Sequence, residues 1–322
     1  MASLVNRSND LTKSYAMSNL RNLKSPNSPP RLSIVVAATE PWPAIKICLD
    51  SLLSQARIVE AEIIVADGNG NALPDDQKFQ EIFWFRKIGF SVFQLRAIGL
   101  SRARGDIVAF TEDHCKVAKD WCEQLLSLHH EYPDAAAIGG SIENGSTGSI
   151  IDWINFLIAK GPFMPPIISG ESQSLSGPAN VSFKRNVLPT EFQDFGILHM
   201  FLNRDLRKRG LKLVMEGRLV VWHIQSLGFI GTCRMHYHNG RTIAGYRFQG
   251  LSWSGRVVRL ASCFILPAFL MTQAISNVIL KKRERLLVFI GLPILFLLSV
   301  CHSSGEFIGY IAGAGDSPQM VR

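Results

Sequence analysis

The six cysteines of this 322-residue chain form no C-x-x-C pair. They are scattered along the sequence, at Cys48, Cys115, Cys122, Cys233, Cys263 and Cys301. A disulfide framework or a structural zinc site needs closer and repeated spacing of its cysteines. The sequence therefore predicts reduced thiols that face a cytosol.

Two nucleotide-binding signatures are absent as well. The chain has neither the G-x-x-x-x-G-K-[ST] loop nor the G-x-G-x-x-G fingerprint. Its formal net charge of +8 suits nucleic acid, an anionic membrane surface or phosphate-bearing substrates. The first 250 residues contain no Lys/Arg-rich tract interleaved with aromatic residues, so we expect no nucleic-acid partner.

Residues 1–30 lack the apolar core of a secretory signal and are rich in Ser, Asn, Lys and Pro. We expect a disordered leader there. The length allows one large domain of about 200–250 residues and an appendage. The hydrophobic residues, 47% of the chain, are concentrated after residue 260. We therefore predict one globular domain at 31–255 and a membrane-associated region at 256–322.

Strand-like apolar runs alternate with helical patterns from residue 31 onward. The runs at 31–38, 61–66 and 105–110 are nearly continuous, as in parallel strands that are buried on both faces. Helical spacing of apolar residues separates them at 44–55, and a short helix precedes Gly105. This alternation predicts an α/β domain with a mostly parallel central sheet.

The third run delivers a polar cluster, Glu112-Asp113-His114, at its carboxyl end. Ligands of open α/β sheets bind just beyond the carboxyl ends of the strands. Carboxylate and imidazole side chains at that edge indicate a seat for a divalent metal that carries phosphates. Mg²⁺ prefers oxygen ligands, whereas Mn²⁺ also accepts imidazole, so either ion is a candidate.

In this order and spacing, the motifs resemble those of family 2 glycosyltransferases of the GT-A fold over about residues 31–250. The matching segments are Thr39-Glu40, the helix around Cys48-Leu49-Asp50-Ser51-Leu52-Leu53, Val65-Ala66-Asp67-Gly68, Gly105-Asp106, Glu112-Asp113-His114, Gly177-Pro178-Ala179-Asn180 and Val221-Trp222-His223. The resemblance implies a nucleotide-diphosphate sugar as donor, a hydroxyl acceptor, metal assistance and an inverting single displacement.

Donor-binding residues follow from the same resemblance. The positions that hold the nucleotide base and ribose are Thr39, Glu40 and Asp67, with Asp113 beside them, and Arg102 would face the diphosphate. Glu112 and His114 occupy the two metal-ligand positions of the family's Asp-x-Asp motif. His223 ends a strand where the wider fold often has a metal- or phosphate-facing group, and a structural histidine is the alternative there.

The catalytic base is where the chain departs from the family pattern. An acidic residue is usual about eleven positions before the glycine that ends the helix at Gly210, and His199 stands at that position. Histidine can accept a hydroxyl proton near neutral pH. Asp194 is the rival if the loop register shifts. The two stay open as candidates, together with the possibility that neither is the base.

The hydrophobic C-terminal region suggests membrane helices at 260–280 and 286–304. Lys281-Lys282-Arg283-Glu284-Arg285 lies between them, and Arg256 and Arg259 precede the first. A two-span hairpin would put the basic loop outside, against the positive-inside rule. The first segment can instead lie in the interface, leaving only the second to cross.

We therefore predict a glycosyltransferase at the cell inner membrane with a cytoplasmic catalytic domain. Its partners would be the nucleotide-sugar donor, membrane lipid and a hydroxyl acceptor, with a lipid-linked molecule or an envelope glycan as candidates. A catalytically silent nucleotide-sugar-binding or scaffold protein is the alternative. A weaker third hypothesis is a metal-handling protein that uses His114, Cys115, His129 and His130.

Overall fold

The computed structural model describes residues 29–69, 76–191 and 194–322. The leader predicted at residues 1–30 therefore lies almost entirely outside the described residues. The strands are β1 (Leu32–Ala38), β2 (Glu62–Asp67), β3 (Phe83–Arg86), β4 (Ile107–Glu112), β5 (Cys115–Val117), β6 (Ala135–Asn144), β7 (Gly170–Glu171), β8 (Val181–Lys184) and β9 (Lys212–His223).

Helices connect these strands and continue beyond the last one. They are α1 (Lys46–Ile58), α2 (Val92–Arg102), α3 (Trp121–Glu131), α4 (Ile150–Ala159), α5 (His199–Lys208), α6 (Gly228–Phe248), α7 (Trp253–Ser262), α8 (Leu266–Lys281), α9 (Arg285–Ile290), α10 (Leu292–Ala312) and α11 (Ser317–Met320). We call residues 228–312, from α6 to α10, the helical cap.

All nine strands belong to one sheet with the order β3-β2-β1-β4-β8-β6-β9-β5, and β7 pairs with β9. The strands from β3 to β4 are parallel, as is the long β6–β9 pair, while β8, β5 and β7 pair in antiparallel fashion. Most of the paired residues of the sheet therefore belong to parallel strand pairs. The predicted α/β class is confirmed.

The apolar runs form the parallel strands because both of their faces are covered. Every residue of β1 and β2 is buried. One core face packs against α1, α3 and α4, and the other lies between the sheet and helices α2 and α5. In parallel register, Ala38 lies beside Asp67 and Ala37 beside Glu112, so the polar ends of β1, β2 and β4 share one edge.

The helical cap includes α6 because this helix packs along α10 more extensively than on any strand. Glycines permit the close approach. An added Cβ at Gly240 would lie 2.1 Å from the carbonyl oxygen of His302, and one at Gly305 would lie 2.0 Å from that of Tyr237. A larger residue at either position would force the two backbones apart.

The two hydrophobic segments predicted at 260–280 and 286–304 are each divided in the structure. The first falls in α7 and α8, which are bent by 58°. The second falls in α9 and α10, with Gly291 between them. Among the described residues, α10 alone has the length and composition to cross a membrane, and the bent α7–α8 pair passes the same test if counted as one span.

Candidate functional site

Three metal-capable side chains meet at the carboxyl edge of the sheet. Glu112 ends β4, His114 follows it, and the β5–β9 pairing sets Cys115 opposite His223. The His114 and His223 Nε2 atoms are 3.0 Å apart. Glu112 Oε2 lies 3.6 Å from the first and 3.4 Å from the second. We call Glu112, His114 and His223 the Glu–His–His cluster.

The geometry of this cluster fits a divalent cation. One ligand atom from each residue lies within 4.8 Å of the others, and the side chains are nearly buried. Adjacent ligands of an octahedral ion at about 2.1 Å are separated by about 3 Å, which is close to the observed spacings. Two imidazoles and one carboxylate form a donor set that suits Mn²⁺ better than Mg²⁺, because Mg²⁺ prefers oxygen.

Asp113 orients the His114 ring by contacting its Nδ1 atom. Asp113 Oδ1 lies 2.7 Å from His114 Nδ1, which leaves Nε2 of the ring directed toward the cluster. The other carboxylate oxygen accepts the backbone N–H groups of Thr39 and Glu40 at 2.6 and 2.8 Å. Asp113 is 1% exposed. Its carboxylate is therefore engaged within the protein and ties the end of β1 to the cluster.

Two cations contact the Glu112 carboxylate from other elements. Lys160, the residue after α4, approaches Oε2 to 3.2 Å, and Arg96 of α2 approaches Oε1 to 3.3 Å. Both side chains are largely buried. Neither residue was among the sequence candidates. Together they add positive charge beside the cluster, where an anionic diphosphate would be attracted.

The ionisation of the cluster follows from these contacts. Burial alone would raise the pKa of Glu112, but Lys160 and the two imidazoles hold that pKa well below its usual range. Burial opposes protonation of His114, but Asp113 outweighs it and raises its pKa. Burial and the neighbouring His114 charge lower the pKa of His223 to about 3 despite the contact with Glu112. Of the two imidazoles, whose Nε2 atoms are 3.0 Å apart, His114 is therefore the one that binds a proton more readily.

The other donor-binding candidates lie at the ends of β1 and β2 and on the last turn of α2. Asp67 ends β2 at the same edge as the cluster, where one carboxylate oxygen accepts the Asn69 N–H at 2.8 Å and the other lies 3.4 Å from Arg86 Nε. Thr39 and Glu40 follow β1 there. Arg102 does not join them. It lies in the last turn of α2 and its guanidinium packs over the Phe85 ring at 5.1 Å.

The direction of α2 explains why Arg96 reaches the cluster and Arg102 does not. The helix starts beside the carboxyl ends of the strands, where Leu95 packs near Ala37 and Ala66. It ends near the amino ends, where the Arg104 N–H contacts Ser33 and Glu62. A crossover helix between parallel strands runs back in this way, so the first half of α2 lies nearer the carboxyl edge of the sheet than its last turn does.

His199 and Asp194, the two candidates for the base, have opposite surroundings. His199 is 3% exposed, and its ring lies edge-on to Phe110 with the centroids 4.8 Å apart. Neither ring nitrogen has a hydrogen-bond partner. Burial and the nearby Arg96 charge hold the pKa of His199 well below its usual range. Asp194 is exposed, and its backbone carbonyl accepts from Gln94 at the start of α2.

The comparison with protein families agrees with the resemblance drawn from the sequence. Residues 33–165 match the model described as "Glycosyl transferase family 2". This segment contains β1 to β6 and two members of the Glu–His–His cluster. The resemblance to this family that the motifs predict is confirmed over this segment.

Two curated proteins with similarity to the chain are named as transferases of sugars. "Putative glycosyltransferase EpsH" of Bacillus subtilis (strain 168) is 29% identical over 131 residues, which are 38% of this chain and 37% of that protein. "Glucosyl-dolichyl phosphate glucuronosyltransferase" of Haloferax volcanii is 27% identical over 135 residues, 38% of this chain and 40% of that protein. The chain thus spans about two fifths of these relatives. A crystal structure of S. aureus TarS 1-349 has a TM-score of 0.45 at 11% identity, covering 86% of this chain and 90% of that one.

Proposed function

We propose that this chain, whose residues 33–165 match glycosyl transferase family 2, is a membrane-associated glycosyltransferase that moves a sugar from a nucleotide-diphosphate donor to a hydroxyl acceptor. The observation that carries the proposal is the Glu–His–His cluster, which lies at the carboxyl edge of the parallel strands and is flanked by Lys160 and Arg96. Ligands of open α/β sheets bind at that edge.

Donor binding is proposed to use two neighbouring parts of the edge. Asp67 and the ends of β1 at Thr39 and Glu40 would receive the nucleoside. Arg96 and Lys160 would face the diphosphate, since a guanidinium and an ammonium suit its charge. A divalent ion in the Glu–His–His cluster, Mn²⁺ in preference to Mg²⁺, would supply charge neutralisation of the leaving diphosphate.

We favour Asp194 over His199 as the base that accepts the proton of the acceptor hydroxyl. A base must be accessible to the acceptor, and the exposure of Asp194, near the start of α2, supports this role. The buried and neutral His199 is enclosed by Phe110 and Phe183, which supports a packing role. The inverting route then consists of attack by the activated hydroxyl on the anomeric carbon as the diphosphate leaves.

The acceptor is proposed to be lipid-linked, and the enzyme to lie at the cytoplasmic face of the cell inner membrane. The apolar side chains exposed on the helical cap support membrane association. One relative carries a dolichyl phosphate acceptor in its name, which supports a lipid-linked acceptor here. An envelope glycan is the other acceptor class that the cap would accommodate.

The test is an assay of sugar transfer and donor hydrolysis across a panel of nucleotide-diphosphate sugars, with Mn²⁺, with Mg²⁺ and with EDTA. We expect turnover of one donor that EDTA abolishes. The double variant His114→Ala/His223→Ala should lose at least a hundredfold in rate. His130→Ala, an exposed histidine on α3, is the matched control and should retain the wild-type rate.

A silent nucleotide-sugar-binding protein is the second candidate, because His199 stands where the family usually has an acidic residue. Donor binding without turnover of any donor in the same assay would favour this candidate. Turnover that depends on Asp194 would exclude it. The variant Asp194→Asn should lower kcat at least a hundredfold, and Asp205→Asn, an exposed aspartate on α5, serves as its control.

A further inference from the structure

The helical cap exposes large apolar side chains over most of its length. These are Trp253, Val257 and Val258 on α7, Phe264 and Ile265 after it, Phe269, Ile279 and Leu280 on α8, Leu286, Phe289 and Ile290 on α9, and Phe296 and Leu297 on α10. Other positions of the same helices, such as Ala274, Val278, Val288 and Leu295, are buried. One side of the cap therefore packs on the protein, and the other presents an apolar face.

Positive charge accompanies this apolar face. Residues 224–315 contain nine Lys and Arg residues and two acidic ones, Glu284 and Glu306. Arg234, Arg259, Lys282 and Arg285 are exposed, whereas Glu306 is buried against Arg247. Exposed cations beside exposed apolar side chains match the anionic headgroups and acyl chains of a phospholipid leaflet.

Both ends of the α9–α10 segment are fastened to the catalytic domain. Before α9, Arg283 makes a bidentate contact with Glu143 at the end of β6, and Lys281 Nζ donates to the carbonyl of Pro166 at 3.0 Å. After α10, Val321 packs in the cluster that contains Ala37 and Ala66, at the ends of β1 and β2.

The C-terminal half of α10 packs on α6, the first helix of the cap. Gly305 and Gly309 lie against the backbone of α6, and Arg241 Nε donates to the carbonyl of Gly313 at 3.1 Å. A helix of 21 residues is about 31 Å long, about the thickness of the hydrocarbon core. If α10 crossed the membrane, its two ends would be on opposite sides, yet both contact one catalytic domain. The helix therefore runs along that domain.

We propose that the helical cap docks on one leaflet of an anionic phospholipid bilayer and that no helix between Gly228 and Ala312 crosses it. The apolar face of α7 to α10 enters the acyl region of that leaflet, and the exposed cations contact its headgroups. The inference extends the proposed membrane association and does not depend on sugar transfer. It keeps the Glu–His–His cluster and the cap on one side of the membrane.

The first experiment measures binding of the full chain to vesicles of phosphatidylcholine, with and without phosphatidylglycerol, by sedimentation. Anionic vesicles should bind the chain at least tenfold more tightly. Phe264→Ser/Phe289→Ser should weaken binding to both vesicle types at least tenfold. The matched control is Ile58→Ser, which removes an equally exposed apolar side chain from α1 and should change nothing. Binding to neither vesicle type, with the chain forming a dimer whose contact is lost in the Phe variant, would identify a second copy as the occupant.

The second experiment reports topology. Lys282→Cys and Asp316→Cys introduce thiols at exposed positions before α9 and after α10. In sealed membrane vesicles, a membrane-impermeant maleimide should label the two variants equally without lysis. The labelling of each variant should exceed the labelling of the native cysteines in the wild-type chain. Labelling of one variant only after lysis would show that α10 crosses the membrane and would overturn the proposal, even if the enzyme transfers sugar.

Discussion

Asp113 is the residue on which the organisation of the site depends most. Its two carboxylate oxygens contact the His114 ring on one side and the N–H groups of Thr39 and Glu40 on the other. Burial opposes its ionisation, but the hydrogen bonds from His114 and from this backbone outweigh burial and lower its pKa. The ionised carboxylate therefore joins the Glu–His–His cluster to the end of β1, the two parts of the edge that are proposed to bind the metal and the nucleoside.

Asp113→Asn should weaken both parts without removing a proposed metal ligand. Partners that orient ligating histidines typically contribute 10–100-fold to metal affinity, so the Mn²⁺ dissociation constant should rise by about that factor. Loss of charged hydrogen bonds should also cost about 1.5–3 kcal/mol of unfolding free energy. Calorimetric titration with Mn²⁺ and denaturant unfolding measure the two effects. Asp106→Asn, an exposed aspartate before β4, should change neither.

His199 offers a test that separates packing from catalysis. Its two unpartnered nitrogens are buried between Phe110 and Phe183, and a buried polar group without a partner costs about 1–3 kcal/mol. His199→Phe should therefore raise the midpoint of thermal unfolding while leaving the transfer rate within about threefold. If His199 is the base, the rate should instead fall by about 10²–10⁴.

His129 should make the stability of the domain depend on pH. Burial, with a contribution from Lys184, lowers its pKa to about 4, and its Nε2 contacts Ser182 Oγ at 2.9 Å. The unfolded chain binds the proton below about pH 6.5 and the folded chain only below about pH 4, so stability is complete above pH 6.5 and falls as the pH decreases. The loss approaches about 3 kcal/mol at pH 4.

Urea unfolding of wild type and His129→Gln between pH 7 and pH 4 measures this contribution. The difference between the two proteins should shrink or reverse as the pH decreases, because the variant lacks the suppressed titration. Parallel curves for the two proteins would contradict this assignment of the pH dependence.

The site shows which residues can be predicted from the sequence. Glu112, His114 and Asp67 follow apolar runs, and the parallel register brings such positions to one edge. No sequence motif around Lys160 indicates a role at the site. This residue follows α4 and contacts Glu112, which lies 48 residues earlier in the chain. Arg102 is the cation that the resemblance places at the diphosphate, whereas Arg96, which carries no motif signal, is the α2 cation that contacts Glu112.

Among the elements, the α6–α10 pair determines the shape of the helical cap. Gly305→Ala would bring a Cβ to 2.0 Å from the carbonyl oxygen of Tyr237. Overpacking of this kind costs about 1–3 kcal/mol, so the variant should unfold at a lower temperature and show faster proteolysis of the cap. Gly148→Ala is the control, because its added Cβ meets no atom within 4 Å.

The strands and the cap differ in how well the sequence predicts them. The bounds of β1, β2 and β4 are predicted to within one or two residues. A short apolar run between turn signals is compatible with few structures other than a buried strand. The apolar segments at 260–280 and 286–304 fit membrane helices by composition alone. The bends of these segments and their contacts with β6 and α6 depend on residues that are distant in sequence. A hydropathy profile averages neighbouring residues and therefore contains no information about such contacts.

At the scale of the whole molecule, one helix connects the Glu–His–His cluster with the helical cap. Lys160, the residue after α4, contacts Glu112, and α4 itself packs against α8, α9 and α10. The proposed donor site and the cap that is proposed to contact lipid are therefore both in contact with the α4 segment, an arrangement suited to an acceptor held in the same leaflet.

The central claim, that Glu112, His114 and His223 together bind the ion that receives the donor diphosphate, is tested most directly by electron paramagnetic resonance of Mn²⁺ titrated into the full chain. We predict one tight site per chain with nitrogen couplings from two histidines, and tighter binding when a nucleoside diphosphate is present. His114→Ala/His223→Ala should lose this site, and His130→Ala should retain it. Mn²⁺ binding that is equally tight in the double variant, or a spectrum without nitrogen coupling, would contradict the claim.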